Sequence, residues 1–126
     1  MSIFGVGIDI VEIDRIQTSL NKYGDKFAKK ILHSAEFEIF SKHKFPVKYL
    51  AKRFAAKEAF VKALGTGFVK NVTMPHIQIV NQISGQPQIM LHKETKELIN
   101  QYELQQIHLS ISDEKRYAIA QVILEK

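Results

Sequence analysis

The segment between Pro46 and Gly65 constrains the fold more than any other part of this 126-residue chain. Proline suits the first turn of a helix, where its missing N–H has no partner anyway, and glycine suits the position just past the last turn. At 1.5 Å per residue, a helix between these residues is about 27 Å long. The sequence therefore predicts one long helix here.

The other elements divide into helices in the first half of the chain and strands in the second half, after one opening strand. Phe4, Val6, Ile8 and Ile10 alternate with other residues, which predicts a strand. Helices are expected from near Asp14, a candidate N-cap, and over 34–40 and 93–102. The later strands are expected over 76–80 and 88–91, around a turn at 84–87, and over 107–112 and 117–124 as a hairpin. This order predicts an α+β fold in a single domain, residues 1–126.

Composition narrows the class of protein. Apolar residues make up 45% of the chain, which is ordinary for a globular protein. No apolar run approaches the roughly 20 residues of a membrane helix, and the start has no signal-peptide pattern. Cysteine is absent, which excludes disulfides and thiolate chemistry and fits a reducing compartment. We therefore expect a cytoplasmic protein that does not enter membranes.

The net charge of +5 favours acidic partners, although simple solubility explains a charge of this size as well. Its placement is more informative. Over residues 52–70, four lysines and Arg53 stand against Glu58 alone, a local excess of 5 − 1 = +4. Most of the excess charge is therefore expected around Glu58.

Two acidic residues lie in elements that are otherwise apolar. Glu58 falls near the centre of the long helix's apolar stripe, and Asp9 shares a strand face with glycines, which leave room for a ligand or another backbone. A carboxylate there is costly unless a cation meets it. Ordinary ion pairs would suffice: Glu58 with Lys62, and Asp9 with Arg15 or the long helix. Together, without Cys or a zinc-type His spacing, the two carboxylates instead suggest Mg²⁺, which takes one or two carboxylates and completes its shell with water and phosphates.

Basic and glycine residues near Glu58 supply features of a phosphate site. Lys57 and Lys62 flank it, and the helix ends in Gly65-Thr66-Gly67, where backbone N–H groups can approach an anion. The signal is not specific, since a glycine is also an ordinary helix end and the P-loop spacing is absent. The five histidines are scattered, so we treat each as structural or surface.

Three blocks of the sequence resemble one family, the holo-acyl-carrier-protein synthases of the 4′-phosphopantetheinyl transferase type. The blocks are GVGIDIVEI at 5–13, RFAAKEA at 53–59 followed by KALGTG at 62–67, and SISDEKRYA at 110–118. Their order and spacing match over nearly the whole chain.

The resemblance implies an activity and an architecture. Such an enzyme transfers 4′-phosphopantetheine from coenzyme A to a serine of apo acyl carrier protein, releasing adenosine 3′,5′-bisphosphate, and so activates the carrier for fatty acid synthesis. The implied fold has an antiparallel sheet with helices on one side, one of them long. The implied assembly is a homotrimer with active sites between subunits.

The resemblance also assigns roles to residues of this sequence. Asp9 and Glu58 align with the Mg²⁺ ligands, and Lys62 would stabilise the charge of the leaving bisphosphate. The base that accepts the serine proton stays open between Glu58 and a metal-bound water. The remaining assignments are coenzyme A contacts at Arg53, Lys57, Lys62, Gly65, Thr66 and Gly67, and carrier contacts at Arg15, Lys22 and Lys26.

One position departs from the family. Many members carry His where this chain has Asp113, so a role given to that His does not carry over.

Two other functions would fit parts of the sequence. A nucleic-acid-binding module would explain the charge and use Phe and Tyr for stacking, but it leaves Asp9 and Glu58 unexplained and no recognition signature is present. A structural subunit without activity is disfavoured because both carboxylates and the glycine turn are retained.

The closing strand carries an assembly signal. One face holds Tyr117, Ile119, Gln121 and Ile123, and the other is wholly apolar over 118–124. A symmetric neighbour would cover a face that a small domain leaves open. At a three-fold axis, Gln121 would meet two copies of itself and close a ring of amide hydrogen bonds, unless its amide reaches a loop of its own subunit.

Overall fold

A computed structural model describes residues 1–69 and 71–126, and its fold is α+β, as predicted. Lys70, counted above in the basic stretch, lies outside the described residues. A 3₁₀ turn covers Met74–His76. The other elements, in chain order, are β1 (Ile3–Glu12), α1 (Ile13–Tyr23), α2 (Asp25–Ile31), α3 (Ser34–Lys42), α4 (Pro46–Leu64), β2 (Ile77–Asn81), β3 (Pro87–Leu91), α5 (Lys93–Asn100), β4 (Gln106–Asp113) and β5 (Tyr117–Glu125).

The strands form two antiparallel sheets. A three-stranded sheet has the order β1-β5-β4, and β2 pairs with β3 in a separate ribbon. In the larger sheet, Gln121 of the central strand pairs with Ile8 on one side and Ser110 on the other. The predicted hairpin of β4 and β5 is confirmed, and the pairing of β5 with the opening strand completes the sheet.

Glycines set the closeness of the long helix to the sheet. A Cβ at Gly5 would lie 1.9 Å from the carbonyl oxygen of Ala63, and one at Gly7 would lie 1.9 Å from that of Ala59. No side chain fits there, so the glycine face of β1 packs directly on α4. The room beside Asp9 is thus taken by another backbone, one of the two possibilities that the sequence left open.

Helix α4 begins at Pro46 and ends at Leu64, with Gly65 in the left-handed region at φ 79°, as predicted. Its burial differs from the prediction of a single apolar stripe, because α4 packs against the sheet on one side and against α3 and β2 elsewhere. Glu58 is only half-buried rather than central in the core. The buried residues of α4 are Tyr49, Leu50, Ala51, Arg53, Ala55, Ala56, Lys57, Ala59, Phe60, Val61, Ala63 and Leu64.

The first helices differ in detail from the prediction. Helix α1 begins at Ile13 after Glu12, so Asp14 lies inside the first turn instead of capping it. Helix α2 was not predicted; Gly24, at φ 63°, separates it from α1. Within the described ranges 1–69 and 71–126, no helix is both long and apolar enough to cross a bilayer.

Candidate active site

A cavity of about 390 Å³ is lined by residues of β1, α1, α2 and α4. Both predicted carboxylates reach it, Asp9 from β1 and Glu58 from α4. Arg15 of α1 lines it too, as do the aromatic rings of Phe27 and Phe54. The structure therefore brings Glu58 together with Asp9 and Arg15, which lie more than 40 residues earlier in the sequence.

The close packing of β1 on α4 explains why the carboxylates meet. Gly7 touches the backbone of Ala59, and Asp9 follows Gly7 on the same strand face while Glu58 precedes Ala59 on the helix. An added side chain at Gly7 would push these elements apart. The glycine-rich strand and the alanine-rich helix are thus a geometric requirement of this site.

Lys62 bonds to β1 rather than to Glu58. Its Nζ lies 2.9 Å from Asp9 Oδ1 and donates to the carbonyl oxygen of Ile8 at 3.0 Å. This is the pair between Asp9 and the long helix that the sequence left open. Since the Lys62 side chain is 54% exposed, its ammonium remains accessible to a ligand in the cleft.

The electrostatics of Glu58 favour a bound cation. Burial raises the pKa of Glu58, the negative charge of Asp9 raises it further, and Lys62 partly opposes the shift. A cation between the two carboxylates would relieve that repulsion. In the described ranges, no group of three or more His, Cys, Asp or Glu could hold a metal. Two carboxylates fit Mg²⁺, which completes its shell with water and substrate phosphates.

Lys57 is bonded within the core of the protein. Its side chain is fully buried, and its Nζ donates to Glu36 and to the carbonyl oxygens of Ile31 and Met74 at 2.6, 2.6 and 3.0 Å. An ammonium has three N–H donors, so all three are used by the protein. The predicted contact of Lys57 with coenzyme A does not fit this position.

Arg53 lines a different cavity, of about 330 Å³, bounded by α3, α4 and β2. Its guanidinium carbon lies 4.1 Å from the ring centroid of Tyr49. Within the described part of the chain, the buried Arg53 Nε and Tyr49 hydroxyl have no hydrogen-bond partner. A buried polar atom without a hydrogen-bond partner costs free energy.

The turn that follows α4 is open to a ligand. Gly65 and Gly67 have φ values of 79° and 68°, a region that favours glycine. Apart from their chain neighbours, no atom of the described residues lies within 4 Å of where their Cβ atoms would be. Thr66 Oγ1 donates to the carbonyl oxygen of Gly67. The glycines are needed for the backbone path rather than for close packing.

The predicted carrier-binding residues lie on exposed parts of α1 and α2. Arg15 borders the carboxylate cavity, whereas Lys22 lies in the last turn of α1 and Lys26 belongs to the first turn of α2. Phe27 lines both this cavity and a neighbouring one of about 350 Å³ that also holds Tyr23, Lys26 and Lys30. The sequence did not single out Tyr23, at the end of α1, or Lys30, in α2. Their closeness depends on α2, which was not predicted.

Asp113, the position that departs from the family, bonds to the long helix. Its carboxylate oxygens lie 3.6 Å from Lys48 Nζ and 3.8 Å from Lys52 Nζ. Asp113 therefore ties the end of β4 to the first half of α4, next to Arg53.

Comparison with known proteins identifies the family of this chain. The sequence profile of the 4′-phosphopantetheinyl transferase superfamily matches residues 5–122. The chain belongs to this superfamily. It is 47% identical to the holo-[acyl-carrier-protein] synthase of Vibrio atlanticus over 125 residues, which are 99% of each chain.

Solved structures of the superfamily share the fold. The holo-[acyl-carrier-protein] synthase of Neisseria meningitidis superposes with a TM-score of 0.95 at 39% identity, covering 99% of this chain and 100% of the other. A holo-(acyl-carrier-protein) synthase of Bacillus anthracis, in complex with CoA (3′,5′-ADP), superposes with a TM-score of 0.83 at 39% identity, covering 98% and 97%. The match confirms the family that the three sequence blocks suggested.

Proposed function

We propose that this protein transfers 4′-phosphopantetheine from coenzyme A to a serine of apo acyl carrier protein, releasing adenosine 3′,5′-bisphosphate. The observation that carries the proposal is the meeting of Asp9, Glu58 and Arg15 at one cavity, in a chain that matches holo-[acyl-carrier-protein] synthases over its full length. The coenzyme A complex of the Bacillus anthracis relative supports the choice of donor.

Asp9 and Glu58 would hold Mg²⁺ at the cavity. Bound there, the ion would neutralise the pyrophosphate charge as the bisphosphate leaves. The serine oxygen forms a bond to the phosphorus next to the pantetheine, and the bond from that phosphorus to the bridging oxygen breaks. The serine proton would pass to Glu58, which lines the cavity, or to a water bound beside it.

Coenzyme A would contact Lys62, the Gly65-Thr66-Gly67 turn and Arg53. Lys62 would turn its exposed ammonium from Asp9 towards the phosphates. Arg53 would contact coenzyme A from the cavity that it lines between α3, α4 and β2. Lys57 is left out, because its donors are already bonded within the core.

The acidic carrier would dock on the basic surface formed by Arg15, Lys22 and Lys26. Arg15 lies at the edge of the carboxylate cavity, so a carrier bound there would bring its serine close to Glu58. Long-range attraction between a basic and an acidic surface speeds such encounters.

We also propose a homotrimer, with active sites completed between subunits, in the cytoplasm. The outer face of the three-stranded sheet supports the assembly, because Val6, Ile8 and Ile10 are 53, 55 and 61% exposed there. A contiguous apolar surface of this kind marks an interaction site.

One assay tests the activity. The protein is mixed with coenzyme A, Mg²⁺ and an apo acyl carrier protein, and the carrier mass is followed. We expect the pantetheine mass shift, no shift after chelation of Mg²⁺, and none on a carrier whose acceptor serine is replaced by alanine. A carrier that stays unmodified at saturating coenzyme A would contradict the proposal, and salt-dependent binding to single-stranded DNA would favour the nucleic-acid alternative.

A further inference from the structure

Lys57 and Glu36 form an ion pair in the core. The two side chains are 0% and 1% exposed, and Lys57 Nζ lies 2.6 Å from Glu36 Oε1. Two charges removed from water cost free energy unless their geometry is good and their other hydrogen-bonding capacity is used. The structure meets both conditions.

Every donor of Lys57 and both oxygens of Glu36 are used. Besides Glu36, Lys57 bonds to the carbonyl oxygen of Ile31, which ends α2, and to that of Met74 in the 3₁₀ turn. Glu36 accepts from the backbone N–H of His33 at the start of α3 and from that of Ile79 in β2, at 2.8 and 2.9 Å. One pair thus joins α4 to α2, α3, β2 and the 3₁₀ turn.

This network holds α4 on the side away from β1. Lys57 and Glu58 are consecutive, so their side chains leave the helix about 100° apart. On the sheet side, Gly5 and Gly7 set how closely α4 approaches β1. Apolar packing tolerates small rotations of a helix, whereas a fully bonded buried ion pair fits in one arrangement only.

We propose that the Lys57–Glu36 pair is a positioning device for the active site, which fixes the rotation of α4 so that Glu58 and Lys62 face Asp9. Lys57 is thus a positioning residue rather than a contact for coenzyme A. The inference rests on the proposed function, since it assigns Asp9 and Glu58 to Mg²⁺. It also gives a physical reason for a lysine directly before that glutamate.

The test measures Mg²⁺ binding by calorimetry without substrates, at a temperature where circular dichroism shows each variant folded. Lys57→Met keeps a long unbranched side chain but removes the charge. We expect its dissociation constant for Mg²⁺ to rise about tenfold or more, as when groups that orient metal ligands are lost. Its kcat should fall while the KM for the carrier stays within about twofold, because Arg15 and Lys22 lie on α1, which is not part of the network.

Two further variants separate position from stability. Ile99→Ala, in α5, removes a buried side chain that takes no part in the hydrogen bonds of the pair, and it should lower the melting temperature while leaving Mg²⁺ affinity at the wild-type value. Lys57→Met with Glu36→Gln removes both charges, so the melting temperature should recover towards wild type. The Mg²⁺ affinity should not recover.

The outcomes are distinct. A folded Lys57→Met variant that binds Mg²⁺ as wild type does, or a double variant that regains both stability and affinity, overturns the positioning role alone. If Lys57→Met does not fold, the Mg²⁺ affinity of the double variant decides whether the pair positions the site. A wild-type protein that neither binds Mg²⁺ nor modifies a carrier overturns the proposed function, and this inference with it.

Discussion

The surroundings of Glu58 differ from those of an exposed acidic residue. Its pKa is raised by burial and by Asp9. A carboxyl whose pKa is higher in the folded state stabilises the fold below its unfolded pKa of about 4.5, and that contribution is lost as pH rises through the folded pKa. At neutral pH without metal, Glu58→Gln should therefore melt above wild type, and the gap should narrow below about pH 4.5.

The same substitution should lower transfer by roughly 100-fold or more, because a ligand of the proposed Mg²⁺ is lost. Asp9→Asn should behave alike. Glu38→Gln, which removes an exposed acid from α3, is the control for general charge effects and should keep wild-type transfer. Near-normal turnover of Glu58→Gln at low Mg²⁺ would show that this carboxylate is not a metal ligand.

Residue type and local pattern were enough to predict the two carboxylates of the site, but they could not predict where every basic side chain lies in the fold. Asp9 and Glu58 stood out because charges in apolar elements need an explanation, and both line one cavity. Lys57 looked equivalent to Lys62, since both flank Glu58. It differs because its partner, Glu36, lies 21 residues away in α3, and no local pattern reveals such a contact.

At the scale of elements, α1 should govern encounter with the carrier. Arg15→Glu reverses a charge beside the cavity and should raise the KM for the carrier about tenfold, as a contact worth about 1.4 kcal/mol is lost, with little change in the KM for coenzyme A. The wild-type KM for the carrier should rise with salt, which screens the attraction. Lys42→Glu, an exposed reversal at the end of α3, is the matched control. Equal effects of Arg15→Glu on both substrates would place Arg15 on coenzyme A.

The start of α3 should be sensitive to acid. The His33 ring, whose Nδ1 accepts from the Ala35 N–H, stacks on His92 with centroids 4.3 Å apart. Burial lowers the pKa of His92, and the nearby His33, His76 and Lys96 lower it further, against the opposing charge of Glu36. When the pKa of a histidine is lower in the folded state than in the unfolded state, the protein loses folding stability as the pH falls below the unfolded-state pKa of about 6.5.

His92→Phe keeps a ring on His33 but removes the titrating group. Thermal melts between pH 7.5 and about 5 should therefore show a shallower loss of stability for this variant than for wild type. Parallel curves for the two proteins would show that the stacked histidines do not contribute to acid sensitivity.

The ends of a helix could be predicted from the sequence where a residue type suits only that position. Pro46 and Gly65 gave both ends of α4, because one suits the first turn and the other adopts a positive φ. Helix α2 was missed, since Gly24 reads equally well as the end of α1 and as the start of a loop. The alternation of β1 identified the strand, but the outward direction of Ile8 follows from the helix that packs on the glycine face.

At the scale of the whole molecule, the sheet has one covered face and one open face. On β5, Ala118, Ala120, Val122 and Leu124 are buried, at 0 to 1% exposure. Gln121, on the opposite face, is exposed between Ile8 and Ser110 of the neighbouring strands. The sequence predicted that a single domain would leave a face of this strand uncovered, and the packing of α4 shows which face it is.

The last prediction concerns that open face. In the proposed trimer, Gln121 meets two copies of itself at the three-fold axis, so Gln121→Glu brings three like charges together. Repulsion in a partly desolvated site should dissociate the trimer into monomers near neutral pH, and sedimentation velocity would detect the change. Transfer should fall in parallel, because the proposed active site is completed between two subunits. Gln101→Glu adds the same charge at an exposed position beyond α5 and should leave both assembly and transfer unchanged. A Gln121→Glu protein that stays trimeric and active would place Gln121 away from the axis.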